Sequence, residues 1–260
     1  MSDSNEIKGT DVTKNYVAQP DSMITLDNNG ELTTLNVYSK EGLELLSNLW
    51  IKSAAQHRLM YEPTWLGRPI IQFPTDILAI QELIWNIRPD VIVETGVAHG
   101  GSLVLSASIL ELLGKGKVVG VDIDIRSHNR IAIENHPLSH RIELIEGSSI
   151  DPDIFGSVCA AVSPAQTVLV MLDSNHTESH VLQELELYSQ IVTPGSYIVA
   201  HDGAQAWVWD IPRGVPEWKD DHPLGAIEKF VALHPDFKHN PHWTRYGITS
   251  SPCGWLEKIA

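Results

Sequence analysis

Between Asp90 and Ala200 the chain alternates short runs of branched aliphatic residues with longer stretches in which apolar side chains recur every three or four positions. This rhythm predicts strands at 91–95, 117–121, 141–145, 167–172 and 196–200, with helices between them at about 101–113, 127–135, 151–161 and 177–191. Val91, Ile92 and Val93 are apolar in succession, as a strand covered on both faces requires. Beyond 200, Pro212, Pro216 and Pro223 mark a loop, 224–233 reads as a helix, and strand candidates near Phe237 and at 254–259 bring the sheet to seven. The pattern is an α/β one: a Rossmann-like, doubly wound, mostly parallel seven-stranded sheet with helices on both faces and an N-terminal helical extension.

Upstream of the sheet, 41–55 reads as a helix. Pro74-Thr75-Asp76 opens another that runs to Ile87, with Thr75 or Asp76 near its cap and Ile77, Ile80, Leu83 and Ile84 on one face. Between them, Tyr61 to Pro74 carries Trp65, Leu66, Gly67, Arg68 and Gln72, a loop that either folds over a pocket or simply connects helices. Residues 1 to about 35 are polar with little periodicity and are expected to form an extended or partly ordered arm. The expected division is 1–60 for arm and first helix and 61–260 for one large domain.

Composition narrows the class of partner. The 260 residues carry 33 acids against 18 Lys and Arg, a formal charge of -15, which disfavours nucleic acid or an anionic membrane and favours a small molecule or neutral sugar. Cys159 and Cys253 fit no metal-ligand spacing and are expected to be reduced, buried thiols. No apolar run approaches the ~20 residues that span a bilayer, and the first residues lack a signal-peptide core, so a cytoplasmic location is expected. The N-terminal arm is a candidate for homo-oligomer contacts.

Ligands of an open parallel sheet gather at the C-terminal ends of its strands. Here those ends carry Glu94, then Asp122 with Asp124, then Gly147-Ser148-Ser149, then Asp173, then His201-Asp202. Any one acid there can merely cap a helix, but acids or polar clusters after all five strands form a set. After the first strand, Gly96, Gly100 and Gly101 allow a sharp turn and close approach to a ligand. Asp122, 22 residues beyond Gly100, is placed to accept hydrogen bonds from the ribose of an adenosine ligand. A dinucleotide loop needs a glycine where Ala98 stands, and Glu94 would repel a pyrophosphate. The same carboxylate suits S-adenosylmethionine, which carries a sulfonium and an ammonium group and no phosphate. An NAD-dependent oxidoreductase is therefore the weaker alternative, beside a non-catalytic S-adenosylmethionine-binding partner protein.

Four segments, V-I-V-E-T-G-V-A-H-G-G-S, V-V-G-V-D-I-D-I-R, V-M-L-D-S-N-H-T-E-S-H-V and G-S-Y-I-V-A-H-D, occur in order. Together they resemble the cephalosporin hydroxylase/rhamnosyl O-methyltransferase family, a branch of the class I S-adenosylmethionine-dependent methyltransferases, over roughly residues 60 to 260. The resemblance places Glu94, Gly96, Gly100 and Ser102 on the loop for the methionine end of the cofactor, Asp122 at its ribose and Ser148 near its adenine edge. His99 either contacts the cofactor carboxylate or fills the turn. It also implies Mg²⁺ held by Asp173 and Asp202, with Asp173 beside the cofactor as well. His201 departs from a second acid often found there, so it is a third metal ligand or has another task.

The reaction so implied is O-methylation of a sugar hydroxyl on a polysaccharide, glycolipid or glycosylated natural product. His176, where the family also has a histidine, is the expected general base, with His201 second. Trp207 and Trp209 either stack on a pyranose ring or pack a loop. Glu178, His180 and Glu184 read as a solvated or capping face of the following helix.

Overall fold

A computed structural model of the protein describes residues 22–28 and 30–260, and the chain divides into two units, one ending at Leu46 and one spanning Ser47–Ala260. In the first, β1 (Met23–Asn28) and β2 (Glu31–Asn36) pair antiparallel with Met23 opposite Asn36. Of the extended or partly ordered arm expected up to about residue 35, 23–35 is thus ordered as a hairpin, and residues 1–21 lie outside the described residues. The signal was a period of two, with Ile24 and Leu26 more covered than Met23, Thr25 and Asp27, followed by Asn29-Gly30, a dipeptide that hairpin turns favour. Helix α1 (Lys40–His57) follows, so the N-terminal extension is a hairpin and a helix.

In the second unit, 61–74 is more than a loop. It contains a small hairpin of β3 (Thr64–Trp65) and β4 (Arg68–Pro69), which leads into α2 (Pro74–Ile87). Then come β5 (Val91–Thr95), α3 (Gly101–Leu113), β6 (Lys117–Asp122), α4 (Ser127–Glu134), β7 (Ile142–Glu146), α5 (Pro152–Val162) and β8 (Val168–Leu172). The chain closes with α6 (Glu178–Tyr188), β9 (Tyr197–Ala200), α7 (Pro223–Leu233), β10 (Phe237–His239) and β11 (Trp255–Lys258).

The seven-stranded sheet has the order β10-β11-β9-β8-β5-β6-β7. Strands 9, 8, 5, 6 and 7 are parallel, and the last two add antiparallel at one edge. Every residue of β5, β8 and β9 is buried, and successive side chains enter opposite cores. Ile92 and Leu169 join Leu83 and Ile84 of α2 and Leu103 and Leu110 of α3, while Val91, Val93 and Val170 join Val158 of α5, Leu185 of α6 and Phe230 of α7. Each such aliphatic side chain contributes about 1.5–3 kcal/mol by leaving water, so helices on both faces are what hold the sheet. The strand order reverses between β5 and β8, which puts the tips of these two neighbouring strands, and the loops after them, at one crevice.

Two local expectations change. Asp76 does not cap α2; Phe73 is the N-cap, and the Asp76 carboxylate is buried, accepting from Thr249 Oγ1 (2.6 Å) and Ser250 N (2.8 Å). Both cysteines are free, but Cys253 is exposed and Cys159 half-buried, where two buried thiols were expected. Among the described residues no helix is long and apolar enough to cross a membrane.

Candidate active site

Gly96 is where the backbone leaves β5 and passes closest to the neighbouring strand tip. Its φ is +88°, and a Cβ there would lie 1.8 Å from the carbonyl oxygen of Asp173, so only glycine lets the two loops meet. The turn that follows is held from three sides. Asp122 Oδ2 accepts from the amides of Val97 (2.8 Å) and Ala98 (3.2 Å). Asn129 Nδ2 donates to the Ala98 carbonyl (2.8 Å), and Arg68 donates to the His99 carbonyl through Nε (2.9 Å) and Nη2 (2.5 Å). Gly100, in the left-handed region at φ +79°, is the N-cap residue of α3. Trp65 Nε1, donating to Ser108 Oγ (3.0 Å), docks the β3–β4 hairpin on α3.

A cavity of about 520 Å³ opens on this turn. Of the residues expected at the site, Gly96, His99, Ser102, Asp173, His176 and Asp202 line it. Gly100, Asp122 and Ser148 do not: Gly100 is used in the turn, Asp122 supports the loop amides, and the Ser148 carbonyl accepts from Asp151 N at the start of α5. Glu94 lies beside the turn, buried at 2 % exposure, accepting from Ser102 Oγ through Oε1 while Oε2 meets no donor among the described residues. Burial pushes its carboxyl up to about 8, the Ser102 bond opposes this, and the charge of Asp173 adds to it.

Asp173 and Asp202 come from adjacent strand tips, and His176 lies between them, its Nε2 3.6 Å from Asp173 Oδ1 and 3.3 Å from Asp202 Oδ2. One ligand atom from each of the three falls within 4.8 Å of the others. For His176, burial favours the neutral ring, but the charge of Asp202 and the bond to Asp173 outweigh it and raise the imidazole to about 9. For Asp173, burial raises and the His176 bond, with the charges of His201 and His176, lowers; the net result is below its ordinary value. For Asp202, burial and then the like charge of Asp173 win over His176, and its carboxyl is raised. Asp173, His176 and Asp202 offer ligand atoms of a type and spacing that fit a divalent cation, whose binding would displace the proton that His176 holds.

His201 is not in this group. Its ring is buried at 3 % exposure, Nδ1 within 3.0 Å of Ser251 Oγ, while Nε2 has no partner among the described residues. Asp202, next in sequence, is in the left-handed region at φ 59° and turns into the cavity. The place expected for His201 beside the two aspartates is taken by His176.

Several contributors were not foreseen. Trp218 lines the cavity, whereas Trp207 packs against the core of Ile51, Phe73 and Val208 and Trp209 lies under Lys219 Nζ at 5.3 Å. With its amide oriented to satisfy both neighbours, Gln205 accepts from Trp218 Nε1 (3.3 Å) and donates to the His176 carbonyl (3.2 Å). Glu184, expected on a solvated or capping face, is fully buried and accepts from Ser174 Oγ (2.7 Å), with His180 Nε2 3.6 Å away. It braces the loop between Asp173 and His176 from behind.

The family description rhamnosyl O-methyltransferase/CmcI matches residues 57–259. A rhamnosyl O-methyltransferase of Mycobacterium tuberculosis (strain ATCC 25618 / H37Rv) is 29% identical over 201 residues, 74% of this chain and 77% of that protein. One of Mycobacterium leprae is 27% identical over 198 residues, 74% and 82% of the two chains. Among solved structures, CmcI with Mg and SAM shares the fold at a TM-score of 0.56 and 18% identity, covering 77% of this chain and 78% of its own. An O-methyltransferase from Bacillus cereus in complex with SAH does so at 0.51 and 17%, covering 77% and 83%. With the match running through β3 to β11 and so through every loop of the site, the chain belongs to the rhamnosyl O-methyltransferase/CmcI family and is an S-adenosylmethionine-dependent O-methyltransferase.

Proposed function

We propose that the protein methylates a sugar hydroxyl, with a divalent cation, Mg²⁺ in the first instance, held by Asp173 and Asp202. The observation that carries this reading is the Asp173–His176–Asp202 group beside the glycine turn. The mycobacterial relatives, named for rhamnosyl O-methylation, support a sugar acceptor, and CmcI solved with Mg and SAM supports the pair of small-molecule requirements.

The methionine end of the donor fits the turn, where Glu94 offers an unpartnered buried oxygen to an ammonium group and the missing Cβ of Gly96 leaves the backbone open. When bound, the cation supplies Lewis acidity that lowers the acceptor hydroxyl's pKa and balances its developing charge. In the transfer itself the acceptor oxygen forms a bond to the methyl carbon as the carbon–sulfur bond breaks, and the hydroxyl proton goes to His176 Nε2. Asp173 and Asp202 raise His176 to about 9; a cation held by the same carboxylates would offset their charge, so that Nε2 would release its own proton and be free to take the hydroxyl's. Gln205, through the His176 carbonyl, fixes the segment that presents the ring.

A second reading, His176 as third ligand to a softer ion such as Mn²⁺, is favoured by the near-equal distances from Nε2 to both carboxylates. His176→Ala separates the two. As a base, its loss lowers kcat by about a hundred-fold or more with the cation affinity kept; as a ligand, it weakens cation binding. The reading as a whole is tested with labelled S-adenosylmethionine, a panel of glycosides and cell-envelope extracts, and a chelator. Transfer to a sugar that stops on chelation and returns with Mg²⁺ is the expected result; transfer indifferent to the chelator would remove the cation from the account.

A further inference from the structure

We infer that Arg58 and Arg213 form an anion subsite on the exposed side of the cavity, and that the acceptor is a sugar bearing a negatively charged group; this rests on the methyl-transfer reading above. Both side chains line the cavity and both residues are exposed. Arg58 follows the last residue of α1, and Arg213 belongs to the loop after β9. Two contacts tie that loop to α1: Gln56 Oε1 accepts from Arg213 N (3.1 Å), and Lys52 Nζ pairs with Asp210 Oδ2 (2.5 Å).

Of the eight arginines, three have an acidic partner among the described residues and Arg68 is spent on the His99 carbonyl and Asn129; of those that remain, Arg58 and Arg213 line the cavity. Arg130 pairs with Glu146 (2.7 Å), Arg141 with Glu111 and Arg245 with Glu82. Among the described residues, neither Arg58 nor Arg213 meets a carboxylate, and Arg213 makes only its backbone bond. Arg58 stacks on the ring of Tyr61 at 4.5 Å, which occupies the face of the guanidinium and leaves its in-plane N–H groups free. That planar fork matches the oxygens of a carboxylate or a phosphate.

The two guanidinium groups line the same cavity as the Asp173–His176–Asp202 group, with Met60, Val208, Ile211 and Trp218 also in its wall. An acceptor whose negative group binds the guanidinium groups is held in the cavity that His176 lines, which fixes the choice of hydroxyl presented to Nε2. A uronic acid and a sugar phosphate share the required chemistry.

Calorimetric titration of the S-adenosylhomocysteine-loaded protein with methyl glucuronide, glucose 1-phosphate and methyl glucoside tests this. The anionic sugars should bind about ten- to a hundred-fold more tightly than the neutral one, and the Arg58→Gln/Arg213→Gln double variant should lose that margin. Which anionic sugar binds better tells carboxylate from phosphate. No preference, no binding by any of the three, or a preference kept by the double variant would overturn the subsite. So would weakened S-adenosylhomocysteine binding in the variant, which would give the arginines to the donor; unchanged binding also shows that the variant folds. An anion preference without methyl transfer to any sugar leaves the subsite standing and sinks the transfer reading, whereas transfer to neutral sugars with no preference does the reverse.

Discussion

Asp173→Ala is expected to slow methyl transfer by about a thousand-fold, since the cation's charge balance amounts to several kcal/mol and each 1.36 kcal/mol is tenfold in rate. Its carboxylate is held ionised by the His176 bond despite burial, so it is charged when it is needed. Removing it takes away one proposed support of the cation and one of the three groups, with Asp202 and Glu184, that raise the basicity of His176. Stability should change little, because losing the His176 contact is offset by relief of the like charge on Asp202. Initial rates at saturating S-adenosylmethionine and varied Mg²⁺, beside a melting curve, check both halves. A variant with more than about a tenth of the parent rate would show that Asp173 is no cation ligand.

Glu94→Gln is expected to move stability and donor affinity in opposite directions. The unfolded chain releases this proton near the ordinary value of 4.5, whereas the folded protein keeps it until about 8. Between those values the unfolded state binds fewer protons, so stability falls as pH rises through the window and levels off above it. At pH 7 the cost is about 3 kcal/mol. Glutamine keeps an oxygen for Ser102 and cannot ionise, so the variant should melt higher at pH 7 to 8 and lose most of this slope. The ammonium of the donor loses its anion, and affinity should drop about ten- to a hundred-fold. Melting curves across pH 5 to 9 and calorimetry with S-adenosylmethionine read the two effects; parent-like affinity in a stabilised variant would take Glu94 out of the donor site.

The sheet was legible because its strands announce themselves by apolar runs. β5 and β8 are buried throughout, and β6 differs from its expected range only by including Asp122. Strand-tip acids could be collected on one edge from topology alone. What a linear pattern lacks is the direction in which a tip residue points. His201 and Asp202 are neighbours, yet one reaches Ser251 and the other turns into the cavity, because the chain leaves β9 through a left-handed residue at Asp202 that no hydrophobic pattern announces. Partners far apart in sequence were equally invisible: Asn129 meets the Ala98 carbonyl across 31 residues, and Asp76 meets Thr249 across 173. Trp218 reaches the cavity ahead of Trp207 and Trp209 because the 211–218 loop folds back over it.

With the donor seated on the glycine turn as proposed, the hairpin between Tyr61 and Phe73 touches both sides of the reaction at once. Arg68 and Trp65 hold the glycine turn and α3, while Tyr61, Gln72 and Phe73 wall the cavity. A chimaera that borrows this stretch from a relative to retarget the enzyme would therefore disturb donor capture along with acceptor choice. Engineering of new glycan scope has to graft around Trp65 and Arg68, and natural divergence along this segment is subject to the same double constraint.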